Sequence, residues 1–311
     1  MAPTTKDTGP IEVDLSSLER SLRRPRALFS FTMSLLTTLA TLAALLPLFS
    51  VLFLLVKRGS AAISFATLHE LPPAAMTSGG GFGNAIVGTV VIVAIATAIS
   101  VPFGILAAIY MVEFGPDTKA AAAVRFAAKV LTGLPSILAG VFAFATVVVV
   151  TGGFSAPAGG VALSLLMIPT VLLTAEEAIK RVPPRMREAA IGMGATPTQV
   201  VTRVTLPTAF PGILTGVMLA VARAAGETAP LLFTSLFSDF WISRTHPYFM
   251  PKTLSDLMKP TASLAVLIYN FSGSPFDNQI ALAWSAALAL VAIVLAANLV
   301  GQSIARRSTL P

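Results

Sequence analysis

The chain alternates long apolar runs with short stretches that carry nearly all of its charge. A transmembrane helix needs about 20 mostly apolar residues, and a charge at the bilayer centre costs at least about 2.5–3.5 kcal/mol. By this test the pattern predicts six membrane-spanning helices in an all-α integral membrane protein. Their expected bounds are about 28–56, 85–112, 126–150, 161–179, 210–237 and 280–304.

Glycine and proline indicate where some of these helices begin and turn. A Gly-rich stretch over 79–83 precedes the second span and leads to Asn84, which is a predicted N-cap. The stretch Thr151–Gly160 contains four glycines and a proline, so it is the expected turn between the third and fourth spans.

The distribution of Lys and Arg predicts the orientation of the chain. The two tails and the loops on the same side of the membrane hold 15 Lys and Arg residues, and the loops on the opposite side hold 5. Because cytoplasmic loops carry the excess of positive charge, the tails 1–27 and 305–311 and the loop 180–208 are expected in the cytoplasm. The same rule accounts for the net charge of +7, so no nucleic-acid partner is expected.

Composition agrees with a membrane protein and argues against an enzyme. Of the 311 residues, 55% are hydrophobic and 11% charged, against about 25% charged in soluble domains. With no cysteine and two histidines, the chain offers no disulfide, no recognisable metal spacing and no Ser/His/Asp or Cys/His arrangement. It also lacks the Gly-x-x-x-x-Gly-Lys-Ser/Thr loop that binds nucleotide phosphates.

The predicted loop 180–208 has the signals of two short helices. Pro183 and Pro184 break the preceding helix, and Gly194 fits a left-handed C-cap position. Thr196 and Gln199 have capping-box spacing for a second helix. Such a folded projection could dock in a groove of a partner, or it could be an interfacial amphipathic linker.

The same loop carries a longer pattern of fixed spacing. Glu188-Ala189-Ala190 is followed by Gly194, then by Val204 and by Leu206-Pro207. This pattern resembles the EAA signature of binding-protein-dependent ABC importer permeases, with Val204 where isoleucine is usual. The resemblance implies that the segment docks on an ATPase subunit. The residues implied in coupling are Glu188, Ala189, Ala190, Gly194, Leu206 and Pro207.

The fifth span contains two ionisable residues, Arg223 and Glu227. Such residues are expensive in a membrane and usually functional. Since they are four apart, they should share one helix face, and Gly226 would let another backbone approach. They could form a structural ion pair, or they could line a path in which the Arg223 guanidinium binds phosphate oxygens. Thr228 is the nearest hydroxyl on the same stretch.

The string from Ala222 to Thr234 resembles the fifth-helix signature of PstA-type phosphate permeases. Further pieces of the chain also match this family. They are 84–89, 102–110 and 133–137. The resemblance implies the type I ABC importer permease fold in the inner membrane. It places Arg223 and Glu227 along a path for inorganic phosphate. Thr228 is added to this predicted path as the nearest hydroxyl rather than by the resemblance.

The resemblance also implies partners. They are a PstC-type second permease, a PstB-type ATPase dimer that binds ATP and Mg²⁺, a PstS-type phosphate-binding protein and the surrounding membrane lipid. This chain itself would hold no cofactor.

Other charged residues carry weaker signals. Glu176 and Glu177 are expected at a solvated helix end, bridged locally to Lys180 and Arg181. In the long external loop, nothing in the spacing marks Asp239, Arg244 or Asp256 as a site.

Three other functions remain open. An ABC permease for another oxyanion such as sulfate or molybdate would share the coupling motif, but the string around Arg223 argues against it. A carrier or channel driven by ion gradients would have no ATPase to dock. A membrane enzyme would need a catalytic cluster.

Overall fold

The computed structural model describes residues 25–77, 79–242 and 253–307, which form helices and turns with no β-strand among them. Both predicted tails lie largely outside the described residues. The helices are α1 Pro25–Gly59, α2 Phe65–His69, α3 Gly83–Ile109, α4 Lys119–Thr132, α5 Ser136–Ala143, α6 Val149–Thr151, α7 Ala156–Lys180, α8 Pro184–Gly192, α9 Pro197–Val200, α10 Leu206–Ala225, α11 Ala229–Leu232, α12 Leu254–Leu257, α13 Leu264–Ser272 and α14 Asp277–Arg307.

Three π-helical segments lengthen or join these helices. Tyr110–Phe114 extends α3, Phe144–Val148 joins α5 to α6, and Val201–Thr205 joins α9 to α10. Five helical segments of the described residues are long and apolar enough to cross a membrane. They are Leu28–Ala62, Gly83–Phe114, Ala156–Lys180, Pro197–Ala225 and Asp277–Ala305. The bent pair Lys119–Thr132 and Ser136–Thr151 counts as a sixth span if its two parts cross the membrane as one.

The chain divides into two compact units, Met1–Leu54 and Leu55–Pro311. In the first unit the structure describes part of α1, a helix with Pro47 in its interior. Its large apolar side chains are exposed, as expected of a helix whose environment is lipid or another apolar surface.

The core of the second unit lies around α7. Helix α3 packs along α7, and α10 packs against both α7 and α14. Fully buried apolar side chains fill the space between these helices. They include Ile92 of α3, Leu163, Met167 and Val171 of α7, and Ala220 of α10. Helix α13 packs on α14 and α3, with Leu264 and Leu267 buried.

Gly88 permits a close approach between α3 and the turn that precedes α13. A Cβ atom at Gly88 would clash with the carbonyl oxygen of Ala262, so the packing requires a residue without a side chain there. One residue on, the Thr89 hydroxyl accepts a hydrogen bond from the backbone N–H of Leu264 at 2.9 Å.

We expect Gly88→Ala to destabilise the protein by about 1–3 kcal/mol, because overpacking forces the backbone apart. The matched control is Gly153→Ala, since a Cβ atom there meets no atom within 4 Å. The thermal midpoint of the purified protein in detergent checks both. Equal midpoints for the two variants would contradict the packing argument.

The third predicted span, 126–150, is not one straight helix. The chain forms α4, breaks over 133–135 and continues from α5, with a bend of 106° between the two helical parts. Gly133 caps α4, and Pro135 has no N–H to continue the α4 hydrogen bonding. Helix α4 also carries Lys119, Arg125 and Lys129, so it is amphipathic rather than apolar throughout.

The fifth predicted span, 210–237, is also corrected. Its helix begins earlier, because α9 runs through a π-helical segment into α10, and it ends at Ala225. Gly226 caps α10, and Pro230 cannot donate a backbone hydrogen bond to continue the helix. The second helix of the predicted 180–208 projection is thus the start of the fifth span rather than a separate element.

Two smaller expectations are wrong in detail. The fourth predicted span corresponds to α7, which starts at Ala156 rather than near residue 161. The Ser155 hydroxyl caps this helix by accepting a hydrogen bond from the Ala158 N–H at 3.3 Å. Asn84 is not an N-cap, since α3 already begins at Gly83. Its side-chain amide instead donates to the carbonyl oxygen of Ser238 at 2.8 Å and ties α3 to the loop after α11.

Candidate functional site

Arg223 and Glu227 lie together where α10 ends. The Arg223 Nε is 3.3 Å from the Glu227 Oε1, so the two form the ion pair expected from their spacing. Glu227 lies just beyond the helix rather than on it. The turn after the helix keeps Glu227 close to Arg223. In this turn the Gly226 N–H donates to the Arg223 carbonyl and the Glu227 N–H donates to the Ala224 carbonyl.

The exposure of the pair is uneven. The Arg223 side chain is 51% exposed and the Glu227 side chain 17% exposed, so the guanidinium faces outward from this chain. At membrane depth, irregular backbone is tolerated where it is buried in protein or lines a water-filled cavity. The guanidinium is therefore exposed beside a break in the backbone over 226–228.

Thr228 lies in the same break. Its backbone carbonyl accepts hydrogen bonds from the N–H groups of Leu231 and Leu232 at the end of α11. The structure thus brings all three predicted path residues, Arg223, Glu227 and Thr228, into one turn.

The carboxylate pair at the end of α7 differs from the expectation. Glu176 is buried, and its Oε1 accepts from Arg125 Nε and Nη2, both at 2.8 Å, and from Lys180 Nζ at 2.7 Å. It therefore joins α4 to α7 instead of sitting at a solvated helix end. Glu177 is exposed, as predicted, but neither it nor Arg181 forms a local bridge among the described residues.

The turn between α8 and α9 forms as the local signals predicted. Gly194 adopts a left-handed conformation with φ of 87° after α8. Thr196 and Gln199 form a capping box, in which the Thr196 N–H donates to the Gln199 side chain at 2.9 Å. We call the segment 184–200, which comprises α8, the turn and α9, the coupling segment.

The surface of the coupling segment is partly apolar. Glu188 and Ala189 are exposed while Ala190 is buried, so α8 presents its carboxylate outward. Met186, Ile191 and Met193 are exposed by 43%, 58% and 84%. Outside a membrane, exposed apolar side chains grouped on one small element are typical of a protein-binding surface.

Comparison with known proteins identifies the family. Residues 100–309 match the model of the binding-protein-dependent transport system inner membrane component. The chain is 40% identical to the phosphate transport system permease protein PstA of Yersinia pestis over 82% of each chain. The chain belongs to the PstA-type permease family.

Other relatives and solved structures agree. The Xylella fastidiosa 9a5c PstA protein is 34% identical over 96% of this permease and 99% of its own length. A bacterial alginate ABC transporter covers 91% of this permease with a TM-score of 0.61 at 17% identity. The MetNI methionine ABC transporter covers 74% with a TM-score of 0.55 at 20% identity.

These findings confirm several predictions for this permease. The all-α ABC importer permease fold is confirmed, as is a multi-pass inner-membrane transporter subunit rather than an enzyme. A permease of a binding-protein-dependent importer works with an ATPase and a binding protein.

Sequence reasoning missed how the coupling segment is attached. The Nη2 atom of Arg187, on α8, lies 3.0 Å from the Oε1 atom of Glu113, in the π-helical segment that extends α3. The same Nη2 atom donates a hydrogen bond to the carbonyl oxygen of Ile179 in α7 at 2.8 Å. One side chain thus joins α8 to two spans. The available signal was Glu113, a single carboxylate at the end of an otherwise uncharged span.

The stretch between α11 and α13 shows no comparable cluster among its described residues. Asp256 pairs with Lys259 at 3.2 Å, and this hydrogen bond lowers the pKa of Asp256. Burial raises the pKa of Asp239. Arg244 lies outside the described residues.

Proposed function

We propose that this permease forms part of the translocation pore of an ATP-driven importer of inorganic phosphate. The observation that carries the proposal is the outward-facing Arg223, held by Glu227 in a helix break within the fifth span. The relatives named as phosphate transport system permeases support the substrate.

The chemistry of the pair suits transient binding of an anion. A guanidinium presents a planar fork of donors that matches phosphate oxygens, and such charge-assisted hydrogen bonds are among the stronger ones. An unpaired arginine would hold phosphate too tightly for release. Glu227 competes for the guanidinium at 3.3 Å, so phosphate must displace it on entry and is displaced by it on exit. The Thr228 hydroxyl would assist.

The coupling segment is proposed to dock on the ATPase, which would bind the ATP and Mg²⁺. Glu188, Ala189 and Ala190 would form the docking helix, and Gly194 would set the turn. Leu206 and Pro207 would then pass the movement into α10, because α9 and α10 are continuous. Arg187 would carry the same movement to α3 and α7 through its contacts with Glu113 and Ile179.

The partners and orientation belong to the same proposal. A PstC-type permease would complete the pore, a PstB-type ATPase dimer would bind the coupling segment, and a PstS-type protein would deliver phosphate. Both termini would lie in the cytoplasm, because the basic residues are concentrated on that side.

The test is labelled phosphate uptake in cells whose high-affinity import depends on this chain. We expect uptake to disappear without the chain and to return with it, and excess unlabelled sulfate or molybdate to leave it unchanged. The ATPase should copurify with the chain. Restored uptake of sulfate or molybdate instead of phosphate would assign the permease to another oxyanion.

A further inference from the structure

A groove of about 610 Å³ runs between α7 and α10, close to the coupling segment. It is a different place from the Arg223–Glu227 turn. Among the residues that line it are Thr174 and Glu177 on α7, Arg181 at its C-cap, and Thr208, Thr215 and Leu219 on α10. We call it the α7–α10 groove. The groove is therefore lined by three hydroxyl groups, one positive charge and one negative charge, and its other lining residues are apolar.

Close packing of the two helices forms the floor of the groove. A Cβ atom at Gly216 would clash with the Thr174 side chain, and one at Gly212 would lie 2.8 Å from the Ala178 Cβ. The longer side chains on either side then stand as walls. The lining positions on α7 are three and four residues apart, so they share one helix face.

Among the described residues, Arg181 forms no ion pair, although Glu177 lines the same groove. Of the basic side chains near the coupling segment, Arg125 and Lys180 pair with Glu176, and Arg187 pairs with Glu113. Within the part of the chain that the structure describes, neither Arg181 nor Glu177 makes an ion pair within 4.0 Å. An unpaired guanidinium beside hydroxyl groups is available to an anion.

Arg223 lies beyond the groove, on the same face of α10 as the residues that line it. Thr208, Gly212, Thr215 and Leu219 line it at spacings of three and four residues, and Arg223 follows four residues later. These positions share one face of the helix. Thr208, Thr215, Leu219 and Arg223 are all exposed on this chain. A ligand leaving Arg223 along this face therefore passes the threonine hydroxyls before it meets Arg181.

We propose that the α7–α10 groove is a second binding station for inorganic phosphate on its way to the cytoplasm. The Arg181 guanidinium and the Thr208 hydroxyl would hold the oxyanion next to Thr215, and Glu177 would compete for Arg181. The arrangement mirrors the Arg223–Glu227 pair, because in each an arginine and a glutamate lie four residues apart. The inference rests on the proposed function, since it assigns the exit end of the same path.

The experiment uses the absence of cysteine from the chain. A Thr215→Cys variant carries a single thiol in the groove of this subunit. The complete importer is placed in inside-out vesicles, and the rate of thiol modification by a small methanethiosulfonate reagent is measured with increasing inorganic phosphate. Ala120→Cys on α4 is the control thiol, since it is exposed and lies outside the groove.

We expect phosphate to slow modification of Thr215→Cys and not of Ala120→Cys. Adding Arg181→Gln should raise the phosphate concentration needed for half protection by about 10- to 100-fold, because it removes a charge-assisted hydrogen bond. Adding Lys119→Gln instead removes one exposed positive charge outside the groove and should leave the protection unchanged.

Three results would overturn the inference while phosphate uptake by the unmodified importer stays normal. They are a Thr215→Cys thiol that phosphate does not protect, protection that survives Arg181→Gln, and loss of the ATPase from the Arg181→Gln complex. The last would make Arg181 a docking residue. Because uptake is measured separately, failure of the proposed phosphate function is distinguished from failure of this second station.

Discussion

Replacing Arg223 with glutamine is expected to lower phosphate uptake by about 10- to 100-fold, because the transported anion loses a charge-assisted hydrogen bond within the membrane. The side chain is half exposed and makes its described ion pair with Glu227 alone, so its loss should not unfold the bundle. Labelled phosphate uptake in cells checks the prediction, with the amount of permease in the membrane and the copurified ATPase measured alongside.

The partner residue provides the discriminating control. If the pair were a structural bridge, Arg223→Gln combined with Glu227→Gln would remove both charges and recover uptake, since no unpaired charge would remain. If Arg223 binds phosphate, the double variant should stay as inactive as Arg223→Gln. Arg223→Lys keeps the charge without the planar fork, so we expect it to recover uptake only in part. Full uptake by Arg223→Gln would contradict a path role altogether.

Local signals in the sequence were enough to predict the turn and the caps within the coupling segment. The left-handed Gly194 and the Thr196–Gln199 capping box depend on residues within one or two turns of each other, and both form as expected. The Arg223–Glu227 pair is local too, and it forms even though a helix end separates the two residues. In these places, short-range backbone chemistry decides the structure.

Hydropathy could not predict the course of the broken spans. Hydropathy measures whether a segment prefers lipid to water. The hydropathy of the block that contains α5 depends only on its residues and is the same whether the block is straight or bent. The bend of 106° arises at Gly133 and Pro135, and the end of α10 at Gly226. Membrane helices tolerate glycine and proline whether they are straight or broken. The presence of these residues therefore does not predict whether a helix continues or bends.

Contacts between distant parts of the chain were missed for a different reason. Asn84 bonds to a carbonyl 154 residues away, and Glu176 accepts from Arg125, which lies 51 residues earlier. Such partners are chosen by the packing of α3, α4 and α7. A single sequence shows the charge of Glu176 but not which helix will lie beside it.

Glu188→Lys is expected to detach the ATPase and to abolish transport for that reason. Glu188 is exposed on α8 and has no described ion pair, so the reversal should leave the coupling segment folded. Losing one partner of a charge pair in an interface costs about 2–5 kcal/mol, which weakens binding by about 30-fold or more. Copurification of the ATPase with the permease measures the attachment, and labelled phosphate uptake measures the consequence.

A second charge reversal separates docking from a general charge effect. Asp117→Lys changes the charge by the same amount in the exposed turn before α4, outside the coupling segment, and should leave the ATPase attached. Arg223→Gln supplies the opposite pattern, in which uptake falls and the ATPase stays. If Glu188→Lys kept its ATPase but lost uptake, α8 would act after docking. The Arg187 contacts with Glu113 and Ile179 would then be the step that fails.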